Sequence, residues 1–111
     1  MSSQILNLTQ GKPAPDFKIS LSKQDDTGKR VTLDEKYTDV NGRITDFLKV
    51  NNGTSQHGIF KLMYFVESYF EKLNQSSFYP FIEVVFEIKD DNHYHVPITL
   101  SPFGYSTYRG N

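Results

Sequence analysis

A β-sandwich of seven or eight short strands with one short helix is the fold this sequence predicts, and three observations carry it. Apolar residues alternate with polar ones in successive short runs, Gly, Pro, Asn and Asp cluster between those runs, and the spacing lengthens to that of a helix only once. A small barrel is the alternative that the same pattern allows. At 111 residues the chain is long enough for one core and too short for two, so a single domain over residues 1–111 is expected.

The elements follow in order. Residues 4–9 read as a first strand, stopped by Gly11 and Pro13. Phe17, Ile19 and Leu21 alternate with Lys18, Ser20 and Ser22 as a half-buried strand. Asp25 to Gly28 is a polar turn, and Val31 to Tyr37 a less regular extended segment. Asn41-Gly42 has the φ > 0 preference of a tight turn, which fixes Arg43 just beyond it. Residues 49–58 have loop composition, after which Phe60, Leu62 and Tyr64 resume alternation. Val66, Tyr69, Phe70 and Leu73 are three and four apart, the spacing of a helix of about two turns, ended by Gln75-Ser76-Ser77. Ile82, Val84, Phe86 and Ile88 form the clearest strand, and Lys89 to Asn92 is read as a hairpin turn into the next one. There Tyr94, Val96, Ile98 and Leu100 alternate with His93, His95, Pro97 and Thr99. After Ser101 to Gly104 a last strand runs from about Tyr105 to Arg109.

Composition removes several function classes. Twelve Lys and Arg against thirteen Asp and Glu give a net charge of −1 without a long block of either sign, so nucleic acid is not an expected partner. No cysteine is present, which leaves neither thiol chemistry nor thiolate metal ligands. The first ten residues lack the basic and apolar regions of a secretory signal, and no run of about 18 apolar residues occurs, so no membrane association is expected. The sequons at Asn7, Asn52 and Asn74 therefore read as chance.

The chemistry concentrates near the C-terminus. A strand with an apolar row on one side turns His93, His95 and Thr99 toward the other, and imidazole exchanges protons near neutral pH. Such histidines are often merely solvated, and alternation alone leaves that reading open for both His93 and His95. Arg43 offers a permanent charge and a planar fork of donors for an anion or oxyanion. Tyr108-Arg109-Gly110 adds a phenol and a second guanidinium next to the terminal carboxylate, and a tail of such specific composition is expected to be docked. Two histidines on one strand and His57 in a distant loop make no metal-ligand set, so no metal is expected. Glu83 and Glu87 read as a solvated or inter-subunit face, and Gly11, Gly42, Gly104 and Gly110 as turn residues without phosphate-cradling spacing.

Residues 93–110, His-Tyr-His-Val-Pro-Ile-Thr-Leu-Ser-Pro-Phe-Gly-Tyr-Ser-Thr-Tyr-Arg-Gly, resemble the C-terminal signature of the 5-hydroxyisourate hydrolases, the enzyme branch of the transthyretin family, which ends in Tyr-Arg-Gly-Ser. The likeness continues through Phe78 to Phe86, Asn41-Gly42-Arg43, Leu6-Asn7 and Gly11-Lys12-Pro13-Ala14, and so covers nearly the whole chain. It implies an all-β, transthyretin-like antiparallel sandwich of about eight strands. It also implies a homotetramer, with edge strands paired within dimers and active sites where the dimers meet. A terminal strand with free backbone groups needs such a partner, and assembly through the C-terminal strands is expected.

The implied reaction is cofactor-free hydrolysis of 5-hydroxyisourate to 2-oxo-4-hydroxy-4-carboxy-5-ureidoimidazoline in urate degradation. By the resemblance His95 and Arg43 are catalytic, His93 is left a solvated surface residue, and Gln4, Arg43, Tyr108, Arg109, Gly110 and Asn111 bind substrate. Two departures stand in these motifs: Gln4 replaces a family histidine and Asn111 the closing serine. An amide takes no proton at neutral pH, so Gln4 leaves a rival reading, a weakened or silent carrier of a flat aromatic anion between subunits. An adhesion or scaffold sandwich would have only the fold in its favour. A cytoplasmic setting is expected, with the peroxisome as alternative, since urate breakdown is peroxisomal in many eukaryotes.

Overall fold

The computed structural model describes residues 1–47 and 57–111. The loop expected at 49–58 falls outside the described residues except for its last two. Among the described residues the strands are β1 (Ser2–Asn7), β2 (Lys12–Pro13), β3 (Lys18–Gln24), β4 (Arg30–Tyr37), β5 (Arg43–Ile44), β6 (Gly58–Tyr64), β7 (Ile82–Ile88), β8 (His95–Ser101) and β9 (Gly104–Thr107). A helix, α1 (Val66–Lys72), follows β6. One sheet has the order β2-β1-β8-β9 with β5 also on β1, and the other β4-β3-β6-β7.

Alternation decides what each strand contributes to the space between the sheets. Ser3, Ile5 and Asn7 of β1 point inward with Val96, Ile98 and Leu100 of β8, and meet Ile19, Leu21, Phe60, Leu62 and Tyr64 of the other sheet. Helix α1 closes one end with Val66, Tyr69 and Phe70, and stops at Lys72 because Asn74 takes a positive φ of 57°. Two core polar groups are satisfied across the layers. Tyr64 donates its phenol toward Ser3 Oγ at 2.9 Å while Ser3 Oγ donates to the Val96 carbonyl at 2.7 Å, so β1 is pinned directly beneath the histidine strand. Asn7 Nδ2 donates to the Tyr69 hydroxyl at 3.1 Å, and its Oδ1 accepts the Thr9 amide at 3.0 Å.

Two expectations are corrected and a third gains its cause. The turn at Lys89 to Asn92 does not close a hairpin: β7 pairs with β6, whereas β8 pairs with β1 and β9 in the other sheet. Asp90 Oδ1 accepts the Asn92 amide at 3.0 Å and the Tyr94 hydroxyl at 3.1 Å, and that hydroxyl accepts the Lys89 amide at 3.1 Å. The buried ring of Tyr94 thereby draws the chain across to the second layer, and the strand begins at His95. Nor is the sandwich wholly antiparallel, since β1 and β8 run parallel, Ser2 beside His95 through Asn7 beside Leu100. Parallel pairing needs a long connection, and nearly the whole chain separates these two strands. The irregularity at Val31 to Tyr37 is a bulge: Leu21 pairs with Asp34 and Ser22 with Thr32, so Leu33 has no partner position.

Among the described residues no helix is long and apolar enough to cross a membrane.

Candidate functional site

The outward faces of the two sheets differ in chemistry. On the β4-β3-β6-β7 sheet, Lys18 meets Glu35 at 3.3 Å and Lys61 meets Glu83 at 3.2 Å, cross-strand pairs of a half-buried lysine with a more exposed glutamate, of the kind that a solvated face carries. The other sheet turns Ser2 and Gln4 of β1, His95 of β8 and Arg43 of β5 outward. Ser2, Ser3, Arg43, Thr45, His93, His95 and Asn111 line a cleft of about 240 Å³ there.

Arg43 is held by its turn. Asp39 Oδ1 accepts the Asn41 amide at 2.8 Å and the Arg43 amide at 3.0 Å, while the Asp39 amide donates to the Arg43 carbonyl at 2.9 Å. Gly42, at φ 70°, hands its carbonyl to the Ile5 amide at 2.8 Å, and a Cβ on it would lie 2.5 Å from the Ile5 carbonyl oxygen. Only glycine fits, and the approach sets β5 against β1 with Arg43 opposite Gln4.

His95 is held on two sides. The Gly110 amide donates to the His95 carbonyl at 2.8 Å, which docks the tail on β8 beyond the end of β9. Its Cα lies so close under the imidazole that a Cβ would fall 2.5 Å from His95 Cδ2. On the other side Ser2 Oγ stands 2.7 Å from His95 Nδ1 and 2.9 Å from His93 Nε2. Burial holds the His95 pKa below its ordinary 6.5, and the neighbouring His93 and Arg43 charges act the same way, against a hydrogen bond to the Ser2 backbone. The ring is therefore neutral at neutral pH, with Nδ1 occupied and Nε2 left for other chemistry. An NMR titration is expected to place the His95 midpoint below 6.5, and a midpoint above it would contradict this account of the ring's surroundings. Because the unfolded chain holds that proton more tightly, the contribution to stability is present above 6.5 and lost as pH falls below it.

Of the residues singled out in the sequence, Arg43, His95 and Asn111 line one cleft, with Gly110 packed under the imidazole. Gln4, half-buried, flanks it on β1 between Arg43 and Pro97. Tyr108 and Arg109 line a neighbouring cleft of about 350 Å³ instead, which they share with His95, Thr107 and the Val84 to Glu87 edge of β7. There the Arg109 guanidinium lies 4.7 Å over the Tyr94 ring. Sequence reasoning missed Ser2, Thr45 and Asp39, and left His93 as a surface residue. Only the pairing of β1 with β8 places Ser2 against both imidazoles, and no periodicity announces it. Among the described residues no group of three or more His, Asp or Glu is placed to hold a metal ion.

A two-layer sandwich whose penultimate strand, β8, presents an imidazole beside a turn-borne arginine has the architecture of a transthyretin-like protein. Sea bream transthyretin has this fold, with a TM-score of 0.90 over 98% of this chain and 92% of its own at 23% identity. The 5-hydroxyisourate hydrolase of Klebsiella pneumoniae is similar at a TM-score of 0.83 and 30% identity, over 99% of this chain and 97% of its own. The chain belongs to the HIUase/Transthyretin family, whose model matches residues 1–110. Its relatives include a probable 5-hydroxyisourate hydrolase of Caenorhabditis elegans, 41% identical over all of this chain and 81% of that protein. The 5-hydroxyisourate hydrolase of Mus musculus is 34% identical over all of this chain and 94% of its own length.

Proposed function

We propose that the chain hydrolyses 5-hydroxyisourate in urate degradation, and that the cleft between His95 and Arg43 is where it does so. The observation that carries this is the neutral imidazole, tied at Nδ1 and open at Nε2, beside a permanently charged guanidinium. Relatives 34% and 41% identical along this whole chain bear the hydrolase name. Nε2 takes a proton from water, the oxygen attacks a ring carbonyl carbon, and Arg43 stabilises the oxyanion that forms there. The carbon–nitrogen bond then breaks as its nitrogen recovers the proton. Asn111 lines the same cleft.

Family membership brings oligomerisation, and we infer the arrangement from the edges. Strands β7 and β9 both end their sheets and border the cleft of Tyr108 and Arg109, so two unpaired edges open on one side. Edge pairing there builds a dimer, and apposed outward faces of β1, β5 and β8 bring dimers together as a tetramer around the candidate sites. Sedimentation at micromolar concentration is expected to show the tetramer, and monomer alone would remove this arrangement.

Gln4 favours a second reading, a carrier for a flat aromatic anion, because its amide cannot take up a proton. Generating 5-hydroxyisourate from urate with urate oxidase and subtracting spontaneous decay separates the two. Acceleration by the unaltered chain supports the hydrolase. Acceleration seen only with Gln4→His supports the carrier.

A further inference from the structure

We propose that Ser2 and His93 form a proton relay behind His95, so that the base of the reaction is a hydroxyl-bridged pair of imidazoles. The inference rests on the hydrolase reading and adds two positioning residues to it. A serine hydroxyl has a single hydrogen to donate. Ser2 Oγ, 2.7 Å from His95 Nδ1 and 2.9 Å from His93 Nε2, therefore donates to at most one ring, and in the tautomers that the relay uses it accepts from His95 Nδ1 and donates to His93 Nε2. The chain has a direction, and reversing it moves one proton between the rings.

The balance is simple. When His95 Nε2 takes a proton from water, its Nδ1–H passes to Ser2 Oγ, and the Ser2 hydroxyl hydrogen passes to His93 Nε2. His95 is then neutral again, with its hydrogen on Nε2, and His93 carries the charge. The same three groups, run in reverse, return the proton for the leaving ring nitrogen, so nothing is consumed.

Position makes the transfer favourable. His95 is half-buried beside Arg43, where a second positive charge is disfavoured, whereas His93 is exposed. Gln4, the other polar side chain on the outward face of β1, exchanges no proton at neutral pH. The bond that pins Ser3 to the Val96 carbonyl at 2.7 Å and to Tyr64 holds the backbone of β1 in place, so Ser2 stays between the rings.

The test compares the full chain with Ser2→Ala, Ser2→Thr, His93→Gln and the double variant Ser2→Ala/His93→Gln, with thermal melts as a check on folding. Ser2→Ala and His93→Gln are each expected to lower kcat about tenfold with KM unchanged, less than the roughly 10² to 10⁴-fold of a general base itself, because both act through His95. The double variant should lose no more than either single one, because both break the same chain. Ser2→Thr, which keeps the hydroxyl, should restore most of the rate. Rates in mixed H2O and D2O should curve for the unaltered chain, as several protons in flight require, and become linear for Ser2→Ala.

An unaltered chain that accelerates decay while both single variants match it would overturn the relay and leave the hydrolase reading intact. Additive losses would overturn it too, since they mean separate roles. A chain with no acceleration would overturn the hydrolase reading itself. Nitrogen-15 NMR of the imidazoles reads the bridge without substrate: removing the hydroxyl in Ser2→Ala should shift both the His95 Nδ1 and the His93 Nε2 resonances. A shift confined to one ring would sink the bridge.

Discussion

His95→Gln is expected to lower kcat by about 10² to 10⁴-fold with KM changed by no more than a few-fold, the range that a positioned proton acceptor supplies. Glutamine is chosen because its amide can still meet Ser2 Oγ, which stands 2.7 Å from Nδ1, and can fill the space over Gly110. What it lacks is a nitrogen that takes up a proton. The half-buried ring is held neutral at neutral pH, so on the proposed mechanism the base is ready without first losing a proton. Initial rates of 5-hydroxyisourate disappearance, corrected for spontaneous decay, check this. A rise in KM at constant kcat would mean that the imidazole binds the substrate and something else accepts the proton.

Arg43 separates binding from chemistry in the same assay. Its backbone is fixed by Asp39 and Gly42 independently of its side chain, so truncation removes the guanidinium without disturbing β5. In a carrier that loss would appear in affinity alone. In a hydrolase it appears in kcat as well, because the oxyanion exists only as the reaction proceeds.

The strands that pack on both the core and water were legible from their period, and β3, β6, β7 and β8 fall within two residues of where alternation puts them. Alternation reports which side of a strand is buried and nothing about its neighbour. For that reason the parallel partnership of β1 and β8 was invisible, and the charged turn before β8 passed for a hairpin when it is a crossing between layers. The two-residue strands β2 and β5 have no period at all; they exist because Gly42 and Asn7 bend the chain alongside β1. The site divides the same way. His95 and Arg43 were singled out by residue type together with the family resemblance, whereas Ser2 reaches the cleft only because the fold sets it opposite His95. Gly110 was read as a turn residue, and its actual constraint is a close approach.

That approach gives the second large effect. Gly110→Ala is expected to lower kcat about a hundredfold, the usual consequence of displacing a reacting group by about 1 Å. The new Cβ would stand 2.5 Å from His95 Cδ2 and 3.3 Å from Pro97 Cδ, and neither atom is the free end of a flexible side chain. Two responses are open. The imidazole can tilt, which lengthens its contact with Ser2 Oγ. Or the tail can lift, which breaks the 2.8 Å bond from the Gly110 amide to the His95 carbonyl and withdraws Asn111 from the cleft. Both empty the site of a needed group, yet neither touches the core, so the thermal midpoint should move by only a few degrees for a loss of about 1 kcal/mol. A hydrogen-bonded tail with His95 NMR shifts unchanged, at full activity, would show that the glycine is dispensable and that the fit of tail to imidazole does not set the rate.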